Sequence, residues 1–143
     1  MPPEIAVIKA RRAGQKPASL LAEYPESGEV LRAAYAYRDD VPPRAAVEAA
    51  LRKEPDDAVL AWIAARAAWA SGDVVAAHQH VRHAMGLAPW SGELRLLLLH
   101  FDLAERRCID AHADWTQLVP LMPEGTLERE PVFKLLQQCP VFE

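Results

Sequence analysis

Apolar positions along this chain cluster into blocks with helical character, each bounded by polar or conformationally special residues. From Ala58 to Ser71 nearly every position is Ala, Val, Leu, Ile or Trp, interrupted only by the charge of Arg66. Gly72-Asp73 then supplies a helix-ending glycine followed by a fresh cap, which predicts a turn. A second helix is predicted from Val74 to Met85, ending at Gly86. Near the C-terminus, Glu130 to Cys139 places Val132, Phe133, Leu135 and Leu136 in an amphipathic stretch. At the other end, Pro3 to Ala13 and Pro17 to Tyr24 predict a short helix pair. The apolar content is rich in Ala and Leu rather than Val, Ile and Thr, which favours helix over sheet.

The boundaries recur. Pro55, Pro89 and Pro123 are each 34 residues apart, and Pro25 lies 30 residues before Pro55. Proline cannot continue a helix and restricts the residue before it, so each one marks a junction between units. With twelve prolines in the chain, spacing alone would be weak, but the neighbouring residues repeat as well. Pro25-Glu26-Ser27-Gly28-Glu29 and Pro89-Trp90-Ser91-Gly92-Glu93 share the pattern P-x-S-G-E. Ser27 and Ser91 are placed to cap a helix, with a glutamate in its first turn, and Pro55-Asp56-Asp57 does the same with carboxylates. Each opening predicts a helix of about 12 to 15 residues.

In these features the chain resembles the tetratricopeptide repeat family, a helix-turn-helix unit of about 34 residues. The middle unit carries the second-helix half of the motif as Ala77-x3-Val81-x2-Ala84-x4-Pro89. Its first helix departs: where the motif has Trp-x2-Leu-Gly-x2-Tyr, this chain has Ala61-x2-Ala64-Ala65-x2-Ala68, with Trp62 and Trp69 one position later. Either the helices approach closely, or the helix is rotated so that the tryptophans fill the core. The third unit reads Arg95-x2-Leu98-Leu99-x2-Asp102, then Ala111-x3-Trp115-x2-Leu118-x4-Pro123, with Arg106-Arg107 in place of the glycine turn. The first reads Leu31-x2-Ala34-Tyr35-x2-Arg38, then Val47-x2-Ala50-x4-Pro55, its second helix opening at Pro42-Pro43.

The resemblance implies an all-α fold, a right-handed solenoid of about three helical hairpins with capping helices. Residues 25-54, 55-88 and 89-122 would be the repeat units, 1-24 the N-terminal cap and 123-143 the C-terminal cap, with Phe142 packing there too. Solenoids need such covers because each unit buries its apolar face only against a neighbour. The resemblance also implies that the first helix of each unit lines a concave surface. In the middle unit Trp62, Arg66 and Trp69 share one stripe of a helix. The corresponding stripes are Leu96, His100 and Leu103 in the third unit, and Arg32, Ala36 and Asp39 in the first, with Tyr35 beside them. Such a mixture suits a peptide or helical segment of a partner protein, with Arg66 and Arg32 holding its carboxylates in a fork. Trp62 is equally open to a core role and Trp69 leans toward one, because large aromatics are mostly buried.

Composition narrows the function classes. At 143 residues the chain has room for one domain with a continuous core. A net charge of −4 disfavours nucleic acid, whose binding domains are usually basic. Lys9, Arg11, Arg12 and Lys16 read as cations favoured at the end of a first helix. The longest uninterrupted apolar run, Ala58 to Ala65, is far short of a membrane span, and the start shows no signal peptide. Cys108 and Cys139 form neither a disulfide framework nor a CxxC pair, so two reduced thiols in a cytoplasmic protein are expected. The Arg-rich, Lys-poor, Ala-rich composition points to a GC-rich bacterial source.

Candidate chemistry is sparse. His80 and His83 share a helix face that His78 does not, and Cys108 and His112 stand one turn apart, but neither set supplies the three or four ligands of a zinc site. Asp102, Asp110, His112 and Asp114 match no nucleophile–base arrangement. Phosphate loops, GxSxG and HExxH motifs are missing from the sequence. The expectation is therefore a protein-interaction module without enzyme activity, cofactor or metal, acting as an adaptor or a dedicated chaperone. The alternative is a structural subunit that self-associates as a homo-oligomer, and a metal-binding or hydrolytic protein ranks third.

Overall fold

Three helix openings share one capping geometry in the computed structural model, which describes residues 1–36, 40–127 and 130–140. Ser27 accepts from the amide of Val30 at 3.3 Å, Asp57 from Leu60 at 3.0 Å and Ser91 from Leu94 at 3.4 Å. Each cap residue has extended backbone and satisfies one of the amides that a helix start leaves without an intrahelical partner. The chain is all-helical, with no strand among the described residues. Its α-helices are α1 (Pro3–Arg12), α2 (Gly28–Tyr35), α3 (Arg44–Lys53), α4 (Ala58–Ala70), α5 (Val74–Leu87), α6 (Gly92–Ala104), α7 (Cys108–Leu118) and α8 (Pro131–Gln137). Short 3-10 turns cover Pro17–Ala22 and Val119–Leu121.

The elements form two compact units, Met1–Leu87 and Ala88–Glu143. In the first, α4 and α5 pack as a hairpin, α2 and α3 lie against α4, and α1 with the following 3-10 turn covers α2. Alanine makes this possible. Ala61, Ala64, Ala65 and Ala68 have no or almost no exposed surface, and Leu60 and Ile63 are enclosed beside them. Small side chains let neighbouring backbones approach, and it is the alanines, not Trp62 and Trp69, that occupy the enclosed face of α4. On the partner helices Val47, Ala50, Ala77, Val81 and Ala84 are fully buried.

In the second unit α6 and α7 form a hairpin, and α8 packs on both. Leu99, Leu103, Ala111, Leu118, Leu127, Val132, Leu136 and Cys139 make one core cluster. Trp115 of α7 meets Phe133 of α8 with ring centroids 5.4 Å apart, within the range of favourable aromatic pairs. Leu135, expected on the apolar face of α8, is half exposed instead.

Several boundaries differ from the sequence expectation. The second member of the N-terminal pair is a 3-10 turn. Helix α2 is only 8 residues long, and α5 runs through Gly86 to Leu87, since a glycine in a last turn weakens a helix without stopping it. Helix α3 starts at Arg44, with Pro43 as its cap, because Pro43 holds Pro42 out of the helical region. Gly72 takes a φ of +83°, and the Asp73 amide reaches back to the carbonyl of Ala68 at 2.9 Å. Arg106 does the same work at φ +60°, with Arg107 bonded to the carbonyl of Asp102 at 2.8 Å, so the glycine-free turn keeps the left-handed closure. Arg38, Asp39 and Phe142, each assigned a role from sequence, lie outside the described residues.

Candidate functional site

Helix α4 is enclosed on most of its circumference, and one stripe is left. Val59 is exposed, Trp62, Arg66 and Trp69 are half-buried, and Ala70 is exposed. Steps of three, four and three residues from 59 to 69 keep these side chains on one helix face. The tryptophans therefore sit between the two readings open at the level of sequence, neither core-filling nor fully displayed.

Arg66 organises the stripe. Its guanidinium carbon lies 5.3 Å from the ring centre of Trp62, within cation–π range. The same group donates to the carbonyl oxygen of Tyr35 at 2.7 Å and of Asp40 at 3.4 Å. Tyr35 is the last residue of α2, where carbonyls lack helical partners and a cation meets the negative end of the dipole. Burial, followed by the charge of Asp40, holds the Tyr35 phenol above its usual pKa. Tyr35, Trp62 and Arg66 are thus brought together.

Arg32 belongs to a different network. It pairs with Glu29 at 2.6 Å, with Asp57 and, at 3.5 Å, with Glu54, tying α2 to the junction between α3 and α4. Burial works against its charge, but Glu29, Asp57 and Glu54 together hold its pKa above the usual value. Both arginines expected to fork a partner's carboxylates thus have partners inside the chain. The sequence carries one signal of this network: Glu29 stands three residues before Arg32, at ion-pairing distance on a helix.

The stripe expected on α6 is a correction. Leu103 is buried in the core of the second unit, and Leu96 packs partly buried against that core. Only His100 is exposed, and its imidazole is held below the ordinary pKa by the surrounding protein, with Glu130 pulling in the opposite direction. Helix α6 is apolar over more than one face, so a three-residue periodicity could not single out its surface.

The cysteines supply a second correction. Cys108 and Cys139 form a disulfide, their Cα atoms 5.4 Å apart across 31 residues of sequence. Spacing could not reveal this pair, which exists because α8 folds back onto α7. With Cys108 so bonded, the Cys108–His112 pair offers no thiolate to a cation. His112 instead lies 2.8 Å from the carbonyl oxygen of Cys139. His80 lies 3.5 Å from Glu48, and His83 meets the carbonyl of Pro55 at 2.6 Å, so the two histidines of one face serve different neighbours. Arg107, in the α6–α7 turn, engages an acidic residue of each helix, at 2.9 Å from Asp110 of α7 and 3.9 Å from the buried Asp102 of α6.

One further cluster escaped the sequence reading. Arg44 pairs with Glu48 at 2.9 Å and Asp73 at 2.7 Å, and donates to Ser71 at 2.8 Å, joining the start of α3 to the α4–α5 turn.

No family model matches this chain, and neither does any curated protein or solved structure. The class that the structure defines is an all-helical protein in which, among the described residues, no helix is long and apolar enough to cross a membrane.

Proposed function

We propose that the chain is a protein-interaction module of tetratricopeptide-like hairpins, stacked as a right-handed solenoid. It would hold a peptide or helical segment of another protein against the open stripe of α4, as an adaptor or a dedicated chaperone. The observation that carries this reading is the pair of half-buried tryptophans, Trp62 and Trp69, on the least enclosed face of a helix that is otherwise buried. Tryptophan is the residue most enriched at binding hot spots, and Val59 extends the apolar line beside it. The packing of α2 and α3 on α4 supports stacked hairpins within the first unit. Because Arg66 and Arg32 already have internal partners, apolar contact rather than a carboxylate fork would supply the affinity. The cytoplasmic placement expected from free thiols loses that support, since disulfides persist mainly in oxidising compartments.

Affinity capture with mass spectrometry, comparing the wild type with Trp62→Ser/Trp69→Ser, tests the proposal. Loss of a reproducible partner with helicity retained is the expected result, and unchanged capture removes α4 from the site. A self-associating subunit is the second reading, favoured by the residues Met1, Ile5 and Ile8, which are 62%, 45% and 49% exposed along α1 and just before it. Light scattering that shows a stable dimer, abolished by Ile5→Glu/Ile8→Glu, would select it.

A further inference from the structure

The two sulfurs of the disulfide have unlike surroundings. Cys139 is 4% exposed and belongs to the core cluster of the second unit. Cys108 is half-buried and lines an open cavity of about 460 Å³ together with Arg106, Arg107, Ile109, Asp110 and Pro140. That volume is in the range of small-molecule sites. Arg106 makes no ion pair among the described residues, whereas Arg107 and Asp110 are 2.9 Å apart and largely offset each other. The N-terminus of α7, where Cys108 is the first helical residue, adds partial positive charge. Ile109, 66% exposed, gives the cavity an apolar wall.

We propose that Cys108–Cys139 is a thiol–disulfide exchange site for a small thiol carrying carboxylates, with Cys108 as the sulfur attacked. The thiolate of the small molecule forms a bond to Sγ of Cys108. The Cys108–Cys139 bond breaks, and its electron pair leaves on the Cys139 sulfur, which takes up a proton from water. One mixed disulfide and one protein thiol result, with no outside oxidant or reductant. A second equivalent of the thiol then attacks the small-molecule sulfur of the mixed disulfide. The products are a symmetric small-molecule disulfide and Cys108, which leaves as the thiolate and can take up a proton from water. In the mixed disulfide, the hydrogen bond from His112 to the Cys139 carbonyl keeps the second cysteine near the first, so that its thiolate can attack Sγ of Cys108, re-form the bond and release the small thiolate.

The test uses the full oxidised chain and reduced glutathione as the anionic thiol, with cysteamine as the cationic one. Acid-quenched samples are read by intact mass and peptide mapping. A single glutathionyl group on Cys108 is expected, with none on Cys139. At equal thiolate concentration, the rate ratio of glutathione to cysteamine should fall roughly fivefold in Arg106→Asn, the scale of one surface charge a few ångströms away. Asparagine tolerates the positive φ at this position, so the turn is kept, and Arg106→Lys should retain most of the preference. Adducts on Cys139, an unchanged ratio in Arg106→Asn with the fold intact, or a disulfide that glutathione leaves untouched would each overturn the proposal.

Discussion

Nε2 of His112 lies 2.8 Å from the carbonyl oxygen of Cys139, one helical turn beyond the cysteine whose sulfur bonds that same residue. A carbonyl can only accept, so the imidazole donates, and two consecutive turns of α7 grip Cys139, just past the end of α8. Closing a loop of 31 residues should stabilise the fold by about 3–4 kcal/mol through the entropy of the unfolded chain. Cys108→Ser/Cys139→Ser is expected to lose that amount in denaturant titration, and His112→Ala about 1 kcal/mol. The two effects should not add, because both hold one residue. Additive losses would mean that the two contacts act independently.

Arg66 closes the C-terminal end of α2 through the carbonyls of Tyr35 and Asp40 while lying over Trp62. Arg66→Ala should lower stability by about 1–3 kcal/mol, the range for charged hydrogen bonds to a half-buried group. Amide exchange at the end of α2 should accelerate more than exchange in α5. A melting curve unchanged from wild type would show that these contacts contribute nothing.

The Arg44 network predicts the direction of an acid transition. Burial raises the pKa of Glu48, but hydrogen bonding and charge from Arg44, with His80 adding, more than offset it and leave it lowered. Asp73 is lowered by its hydrogen bond to Arg44 and by the Ala76 amide. For carboxylates depressed in the folded state, the stabilisation is present above their ordinary values, 4.5 for Glu48 and 3.8 for Asp73, and fades as pH falls through the lower folded values. Arg44→Met should therefore be less stable than wild type near neutrality, with the gap closing on acidification below about pH 4. A gap independent of pH would assign the loss to packing of the arginine stem.

Alanine on α4 is predicted to be a steric requirement. Ala64 has no exposed surface, and the motif the chain resembles carries leucine there. Ala64→Leu should cost about 1–3 kcal/mol through overpacking, against a gain if the space were open. Thermal denaturation followed by circular dichroism decides between them.

Helix openings were legible because their cause is local. Ser27, Asp57 and Ser91 cap amides three residues on, so composition and order within a few positions suffice. Gly72 was readable for the same reason, whereas Arg106 in the same left-handed role was not, since sequence cannot show that an arginine has been forced to φ +60°. The tryptophan stripe of α4 could be traced by period, but its burial could not, because that depends on which neighbours the alanines admit. Leu96 and Leu103 failed on the same ground: α6 is apolar on several faces, and α8 decides which of them is covered. The disulfide rests on a contact between α7 and α8 that no spacing rule encodes.

The central claim is that the open line of α4 meets another protein, and photocrosslinking addresses it most directly. A photoreactive residue replacing Trp69 should give one reproducible heterologous crosslink that excess unlabelled protein competes away. The same residue placed at the exposed Arg82 of α5 should give none. Equal, uncompeted labelling from both positions, or crosslinks only to a second copy of the chain, would contradict the account.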